Sequence, residues 1–295
     1  MGKFTGVLLC SDYDNTLLNT ERAFLEGREV PEIPQRNREA LAYFMDNGGL
    51  FALATGRAVA AMERLVDTVP LNAPCVVANG AAIYDFQRRR YVDSQPLPDT
   101  MADRCQAVLD RFPDVAVEAY SLGSDVYGVQ TNRYTRAHEG ITRVPVQERA
   151  NMADVPRPLI KAMFQGERET LERVKAYLSG EAWIQEGELL FTGRNLLELT
   201  AKGAAKGAAV RRLAALLGIA PERVYCAGDQ DNDLSMLSAA AQGFAPRNSA
   251  PAVLSSGAVI VSDVDQGAVA DIVEYLDRQY GEAQGSLSGP CAASV

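Results

Sequence analysis

Two aspartates stand just after a short apolar run near the start of the chain. The run Val7–Cys10 is followed by Ser11 and then by Asp12-Tyr13-Asp14. In an extended segment, side chains two positions apart point the same way, so both carboxylates can face one site. Such a pair can bind a cation or serve as general acid and base. A polar turn would explain the same residues, so the pair alone leaves both interpretations open.

A second acidic segment follows the apolar run Val224–Ala227. It reads Gly228-Asp229-Gln230-Asp231-Asn232-Asp233, which places three carboxylates and two side-chain amides close together. Crowded carboxylates repel one another unless a cation lies among them, and their oxygens suit a hard divalent cation. This combination is much rarer by chance than one Asp-x-Asp pair, so the polar-loop interpretation is weaker here.

A hydroxyl and free backbone amides follow the apolar run Leu50–Ala54. Thr55-Gly56-Arg57 stands at this strand-to-helix turn. Backbone N–H groups in such a turn, together with a hydroxyl, suit an oxyanion. The alternative is that Thr55 only caps a helix, because Thr is a common N-cap residue.

An ammonium group precedes a helical pattern in the second half of the chain. Lys206-Gly207 opens this helix, where an ammonium and a helix N-terminus can jointly face an anion. The alternative is a solvated surface lysine, and Lys202 is a nearby competitor. Asn79-Gly80 is a weaker candidate for a site, because a type I′ turn explains it.

Alternating strand and helix patterns position these four segments. Strands are predicted at 7–10, 50–54, 75–78, 224–227 and 259–261, and helices at 34–47, 59–69, 210–217, near 236–237 and at 269–276. This alternation predicts a parallel sheet connected by right-handed crossovers. Ligand and catalytic groups lie outside the carboxyl ends of such strands.

The middle of the chain has a different pattern. From about Asp85 to Leu190 it is denser in Pro, Gly and charge, with strand patterns near 115–120, 159–165 and 189–192 between helical stripes. We expect an inserted α+β domain at 85–195, a core made of 1–84 and 196–282, and a disordered tail at 283–295.

Composition restricts the class of protein. The chain has 38 acidic and 29 basic side chains and a net charge of −9, which disfavours non-specific binding to nucleic acid or an anionic membrane. The sequence lacks the run of about 18 apolar residues that predicts a membrane span. One histidine and five cysteines without a C-x-x-C pair disfavour zinc and indicate reduced thiols of a cytoplasmic protein.

The order of the four segments resembles the haloacid dehalogenase (HAD) superfamily. Asp-x-Asp-x-Thr, Thr-Gly-Arg, Lys-Gly and Gly-Asp-x-x-Asn-Asp occur in this order, with a large insertion between the second and third, as in the Cof-type branch with a C2-type cap. The stretch from Leu197 to Gly207 is similar to the third motif of that branch and points to Lys206 rather than Lys202. One departure is Asn15, where the family usually has Gly. Asn is the residue other than Gly that best tolerates a left-handed conformation.

The resemblance implies an α/β fold with a doubly wound, mostly parallel Rossmann-like core sheet and an inserted α+β cap. It implies an Mg²⁺-dependent phosphatase that hydrolyses a small phosphorylated metabolite, such as a sugar phosphate, through an aspartyl-phosphate. Asp12 would be the nucleophile and Asp14 the general acid and base. The resemblance also implies that the metal is bound by Asp12, the Asp14 carbonyl and Asp229, with Asp233 behind them. Phosphate would be bound by Thr55, Gly56, Lys206 and Asn232. Arg57 would contact the substrate or the cap.

The implied cap would close over the site and select the leaving group. Its polar residues Asn132, Arg133, Arg136 and His138 are candidates for reading a polar leaving group. A solvated loop is the simpler interpretation of this cluster, and we expect His138 at the surface.

Three other functions stay open at this point. A phosphotransferase or mutase would pass the same aspartyl-phosphate to a hydroxyl. A receiver-type signalling domain also combines acids, a Thr and a Lys around Mg²⁺, although the long insertion argues against it. A phosphate-binding protein without turnover is the third alternative, and Asn15 is the only hint of it.

Overall fold

The computed structural model describes residues 2–123 and 125–286, which fold into strands and helices. The strands are β1 (Leu8–Ser11), β2 (Leu50–Leu53), β3 (Cys75–Val77), β4 (Ala82–Asp85), β5 (Arg90–Ser94), β6 (Ala116–Ser121), β7 (Val126–Val129), β8 (Val146–Arg149), β9 (Leu159–Gln165), β10 (Gly187–Gly193), β11 (Leu196–Ala201), β12 (Val224–Ala227), β13 (Gln242–Pro246) and β14 (Val259–Val261). The helices are α1 (Thr20–Leu25), α2 (Gln35–Asp46), α3 (Val59–Met62), α4 (Met101–Arg111), α5 (Arg133–Thr142), α6 (Arg168–Ser179), α7 (Lys206–Leu217), α8 (Leu234–Ala239), α9 (Pro251–Leu254) and α10 (Ala268–Ser286).

The chain packs as two compact units. The first contains the residues up to Leu53, Thr68–Ala73 and the residues from Ala214 onward, and the second contains Ala54–Asp67 and Pro74–Leu213. This division reflects which residues contact one another, and it does not show where one domain is inserted into another along the sequence. The domain boundaries 1–84, 85–195 and 196–282 therefore stay a prediction. Helix α10 runs to Ser286, and residues 287–295 of the predicted tail lie outside the described residues.

The first unit contains a five-stranded sheet in the order β14-β13-β12-β1-β2, in which every neighbouring pair is parallel. In this register Ser11 lies beside Ala227 on one side and Leu53 on the other, so three strands end at one edge. The predicted parallel sheet is therefore confirmed. Helices α2 and α10 pack together, with apolar stripes that include Leu41, Phe44 and Ile272 in the core.

The second unit contains a six-stranded sheet in the order β10-β11-β9-β6-β7-β8, with β7 and β8 as its parallel pair. Alternate residues such as Val117, Phe164 and Leu197 join an apolar core with residues of α4 and α6. Three of the intervening residues, Glu118, Lys161 and Glu198, are buried and polar, so the other side of the sheet is the polar face.

A three-stranded sheet of β3, β4 and β5 also belongs to the second unit. We expected Cys75–Ala78 to continue the parallel sheet, which is wrong for its main pairing, because β3 pairs antiparallel with β4. One parallel bridge joins Ala54 to Val76. An apolar run predicts a strand, but it does not encode the partner or direction of that strand.

The composition predicts buried cysteines and no membrane-spanning segment. Cys10, Cys75, Cys105 and Cys226 are buried thiols outside any disulfide bond, as expected, and Cys291 lies outside the described residues. None of the described helices has both the length and the apolar composition needed to cross a bilayer.

Candidate active site

The first two acidic segments meet at the carboxyl edge of the parallel sheet. The backbone N–H of Asp12 donates to the carbonyl of Ala227 at 2.9 Å, which extends the pairing of β1 and β12 by one residue. Gly228 and Asp229 follow Ala227 directly. The two apolar strands therefore place Asp12 and Asp229 at one edge, as the strand patterns predicted.

Three carboxylates form a buried cluster at this edge. Asp12, Asp229 and Asp233 each offer an oxygen, and these oxygens lie within 4.8 Å of one another. The residues are 6%, 0% and 0% exposed. Three buried carboxylates at this spacing repel one another strongly unless a cation lies among them. An all-oxygen donor set fits a hard divalent cation such as Mg²⁺.

The loop after β12 is shaped by the Asp233 side chain. Its Oδ2 accepts from the backbone N–H groups of Asp229 at 2.9 Å and Gln230 at 3.0 Å. Gly228 is required beside it, because a Cβ there would lie 2.4 Å from the Asp233 Cβ. Asp233 therefore uses one oxygen to fold the loop that presents Asp229. Asn232 is half-buried in the short turn Asp231–Asp233.

The Asp229 carboxylate is oriented by two further side chains. Thr16 Oγ1 donates to Oδ1 at 2.8 Å, and Gln230 Nε2 donates to Oδ2 at 3.1 Å. Thr16 belongs to the Asp-x-Asp-x-Thr segment, but its sequence position did not indicate this contact. Gln230 was likewise not assigned a role from sequence.

Asp14 and Asn15 lie in the turn between β1 and α1. Thr20, the first residue of α1, donates from Oγ1 to Asp14 Oδ1 at 2.6 Å. Asn15 has φ = 55°, so it adopts the left-handed conformation expected for a residue that replaces glycine. Its Oδ1 accepts from the backbone N–H of Glu21 at 2.9 Å, which fixes the turn to the start of α1. Asn15 thus stabilises the turn through its left-handed backbone conformation and through its side-chain hydrogen bond.

Thr55, Gly56 and Arg57 form a tight turn in the second unit. The Arg57 N–H donates to Thr55 Oγ1 at 3.1 Å, and Thr55 is 1% exposed. The alternative that Thr55 caps a helix is wrong, because α3 begins at Val59 and its N-cap is Ala58. The hydroxyl of Thr55 instead accepts within its own turn and keeps its O–H as a donor.

Lys206 is the first residue of α7, as the pattern predicted, and it is 1% exposed. Lys202 is exposed. The alternative of a solvated surface lysine is therefore wrong for Lys206. Asn79 and Gly80 have φ values of 55° and 100°, and the N–H of Ala81 donates to the carbonyl of Ala78, as in the predicted type I′ turn.

The polar cluster predicted for the cap has mixed roles. Asn132 caps α5 by accepting from the N–H groups of Tyr134 and Thr135. Arg133 forms an exposed ion pair with Glu167. Arg136 forms exposed ion pairs with Glu139 and Glu148.

The expectation of a surface position for His138 is wrong. His138 is half-buried, and its Nδ1 hydrogen-bonds the buried carboxylate of Glu118 at 2.9 Å. Burial alone would raise the pKa of Glu118, but hydrogen bonds from His138, Tyr120 and Gln165 outweigh it and hold this pKa below its ordinary value. Glu118 is therefore a stabilised buried anion.

A parallel sheet with a buried carboxylate cluster at the carboxyl ends of its strands defines an α/β protein equipped for metal-assisted chemistry. The family is more particular: residues 9–273 match the model of haloacid dehalogenase-like hydrolases, and the chain belongs to that family. The resemblance inferred from the four motifs is thereby confirmed.

Several relatives align along nearly the whole chain. The 5-amino-6-(5-phospho-D-ribitylamino)uracil phosphatase YwtE of Bacillus subtilis (strain 168) is 24% identical over 290 residues, which cover 90% of this chain and 96% of that protein. Pyridoxal phosphate phosphatase YbhA of Escherichia coli (strain K12) is 22% identical over 276 residues, which cover 90% and 97%. The structure of a haloacid dehalogenase-like hydrolase from Bacteroides thetaiotaomicron matches with a TM-score of 0.80 at 22% identity, covering 92% of this chain and 99% of that one. This last likeness shows the fold.

Proposed function

We propose that the protein is an Mg²⁺-dependent phosphatase that hydrolyses a small phosphorylated metabolite through an aspartyl-phosphate. The observation that carries this proposal is the buried cluster of Asp12, Asp229 and Asp233 in a chain of the haloacid dehalogenase-like hydrolase family. The relatives named above act on phosphate esters with unlike leaving groups, a ribitylaminouracil and a pyridoxal. We therefore leave the leaving group open within the class of small metabolites.

Two aspartates would share the covalent chemistry. The Asp12 carboxylate attacks phosphorus, and the bond from phosphorus to the ester oxygen breaks as the acyl phosphate forms. Asp14 gives a proton to the departing oxygen and then takes a proton from the water that attacks the acyl phosphate. The hydrogen bond from Thr20 to Asp14 Oδ1 holds this carboxyl group in one orientation while it exchanges protons. Water as the final acceptor separates this reaction from that of a phosphotransferase.

The proposed metal ligands are Asp12, Asp229 and the Asp14 carbonyl, with Asp233 folding the loop behind them. When bound, Mg²⁺ offsets the repulsion between the anionic nucleophile and the anionic ester. Thr16 and Gln230 keep both Asp229 oxygens oriented by the contacts described above.

The proposed phosphate contacts are the Thr55 hydroxyl, the Gly56 amide, Lys206 and Asn232, with Arg57 reaching substrate or cap. Burial of Thr55 and Lys206 supports this role, because donors removed from water are fixed before the ester binds. We also propose that residues 85–195 form the cap that selects the substrate. The absence of a disulfide bond among the described cysteines supports a cytoplasmic location for the enzyme.

The test is release of phosphate from p-nitrophenyl phosphate. We expect activity that requires Mg²⁺, that disappears with EDTA, and that falls by at least about a thousandfold in Asp12→Asn. Asp231→Asn is the matched control, because Asp231 is exposed in the same acidic segment and lies outside the buried cluster. Unchanged turnover in Asp12→Asn would contradict the covalent mechanism, and activity that resists EDTA would contradict the metal site.

A further inference from the structure

A buried ion pair lies on the polar face of the six-stranded sheet. Lys161 in β9 and Glu198 in β11 are 3% and 5% exposed, and Lys161 Nζ lies 3.1 Å from Glu198 Oε1. Neither residue was singled out from sequence. A buried pair adds little net stability, because removing both charges from water offsets most of their attraction. Stability alone therefore does not account for the pair.

The remaining contacts connect this ion pair to Gly56 and Asn79. Glu198 also accepts from Thr192 Oγ1 at 3.1 Å and, through Oε2, from Asn79 Nδ2 at 2.7 Å. Lys161 lies over the Tyr120 ring, with Nζ 4.6 Å from its centroid, and donates to the carbonyl of Gly56 at 3.3 Å. The carboxylate thus holds both Lys161 and Asn79.

These two residues restrain the turn Thr55–Gly56–Arg57. The peptide that joins Gly56 to Arg57 is held at both ends, because its carbonyl accepts from Lys161 and its N–H donates to Thr55 Oγ1. The N–H of Asn79 donates to the Thr55 carbonyl at 3.1 Å. A Cβ at Gly56 would lie 2.9 Å from Asn79 Oδ1, so the turn is packed closely against that side chain.

From these contacts we propose that Lys161, held by Glu198, is a positioning residue for the Thr55–Gly56–Arg57 turn. Fixing the peptide keeps the Arg57 N–H on Thr55 Oγ1, so the Thr55 hydroxyl presents its own proton outward to a phosphoryl oxygen. Without Lys161 the Gly56 carbonyl loses its donor and the peptide can rotate. This proposal rests on the proposed function, which assigns the phosphoryl group to this turn.

The test compares wild type, Lys161→Met, Lys161→Met/Glu198→Gln and the control Lys202→Met. The measurements are KM and kcat for p-nitrophenyl phosphate with saturating Mg²⁺, the inhibition constant of inorganic phosphate, and Tm. Lys161→Met should lower Tm, because it leaves the Glu198 charge buried without its partner. The double variant should recover Tm, yet its KM and its phosphate inhibition constant should stay about tenfold higher than wild type. The exposed Lys202→Met should match wild type in all of them.

A double variant with recovered Tm and wild-type KM and inhibition constant would overturn the proposal, because the pair would then be only structural. If the double variant does not fold, Glu198→Gln alone decides the question. We expect a higher KM, because Gln has one acceptor oxygen where Glu198 uses one oxygen for Lys161 and the other for Asn79, and an unchanged KM overturns the proposal. A folded wild type without Mg²⁺-dependent activity would instead count against the proposed function. An active wild type, an inactive Asp12→Asn and an unaffected double variant would count against this inference alone.

Discussion

Lys206 and Lys202 are four residues apart and have opposite environments. Lys206 is buried at the first position of α7, whereas Lys202 is exposed before the helix. An ammonium group that is already desolvated at a helix N-terminus stabilises developing charge on an anion far better than a solvated one. The difference between the two lysines can therefore be measured directly.

We predict that Lys206→Met lowers kcat/KM for p-nitrophenyl phosphate by about a hundredfold to a thousandfold, the usual effect of losing one preorganised donor. Lys202→Met should change kcat/KM less than about twofold. Circular dichroism of both variants checks that the loss is not unfolding. Equal losses in the two folded variants would show that Lys206 is not the phosphate-binding lysine.

At the residue scale, the sequence predicted the side chains whose position is set by the end of a strand. It did not predict the side chains whose position depends on contact between distant parts of the chain. Asp12 and Asp229 were predictable because each follows an apolar strand, and the left-handed Asn15 was predictable from residue type. The contact of Thr16 with Asp229 joins residues 213 positions apart, and nothing local encodes it. For Glu198 a signal existed, since it alternates with buried leucines, but its contact with Lys161 depends on how β9 and β11 pair.

Helix α5 is joined to strand β6 by a buried polar network. Glu118 in β6 accepts from His138 in α5, from Tyr120 and from Gln165. Burial raises the pKa of Tyr120, and the nearby Glu118 charge raises it further, so Tyr120 stays a neutral donor. The network therefore depends on Glu118 remaining ionised.

We predict that this network loses its stabilising effect in acid. The folded-state pKa of Glu118 lies below the ordinary 4.5, so its contribution is complete above that value and is lost as pH falls through the folded-state pKa. Denaturant unfolding from pH 7 to pH 3 should show wild type losing stability faster than Glu118→Gln, so their free energies of unfolding converge. Glu172→Gln removes a carboxylate from an exposed ion pair on α6 and is the control, and it should change the free energy of unfolding little at any of these pH values. Parallel curves for wild type and Glu118→Gln would refute the role of Glu118.

At the element scale, apolar periodicity predicted most strands and helices but not their ends or partners. The stripe at 59–69 predicted one helix, yet α3 ends at Met62 and a separate short turn occupies Val66–Thr68. The pattern around 75–78 predicted a strand correctly and its main partner incorrectly. Hydrophobic positions report burial, whereas pairing depends on chain direction and on turns such as Ala78–Ala81.

At the scale of the whole molecule, the four family motifs and the middle segment occupy different parts of the chain. The motifs lie within 5–83 and 196–280, and the segment between them contributes β6 to β10 to a sheet separate from the parallel one. The sequence predicted this segment as distinct because its pattern of Pro, Gly and charge changes. Its specificity could not be predicted, because the side chains available to a substrate depend on which ion pairs form across the sheet and its helices.

We predict that polar residues of the segment 85–195 rank the natural substrates without supporting the chemistry. Arg133 and Arg136 on α5 are 74% and 50% exposed and hold carboxylates in surface ion pairs. Exposed pairs of this kind contribute little to stability, so either guanidinium can exchange its carboxylate for a polar leaving group at little cost. In a panel of phosphorylated metabolites, Arg133→Ala and Arg136→Ala should shift the ratios of kcat/KM between substrates by about tenfold.

These two variants should leave hydrolysis of p-nitrophenyl phosphate nearly unchanged, because that ester has no polar leaving group for the segment to bind. Arg168→Ala is the matched control, since Arg168 forms a comparable exposed pair with Glu172 on α6, a helix that packs against the apolar face. Its substrate ratios should equal those of wild type. If no substitution in the segment moves the ranking while all variants fold, then specificity resides with the motif residues themselves, and the proposed role of residues 85–195 as a selective cap is wrong.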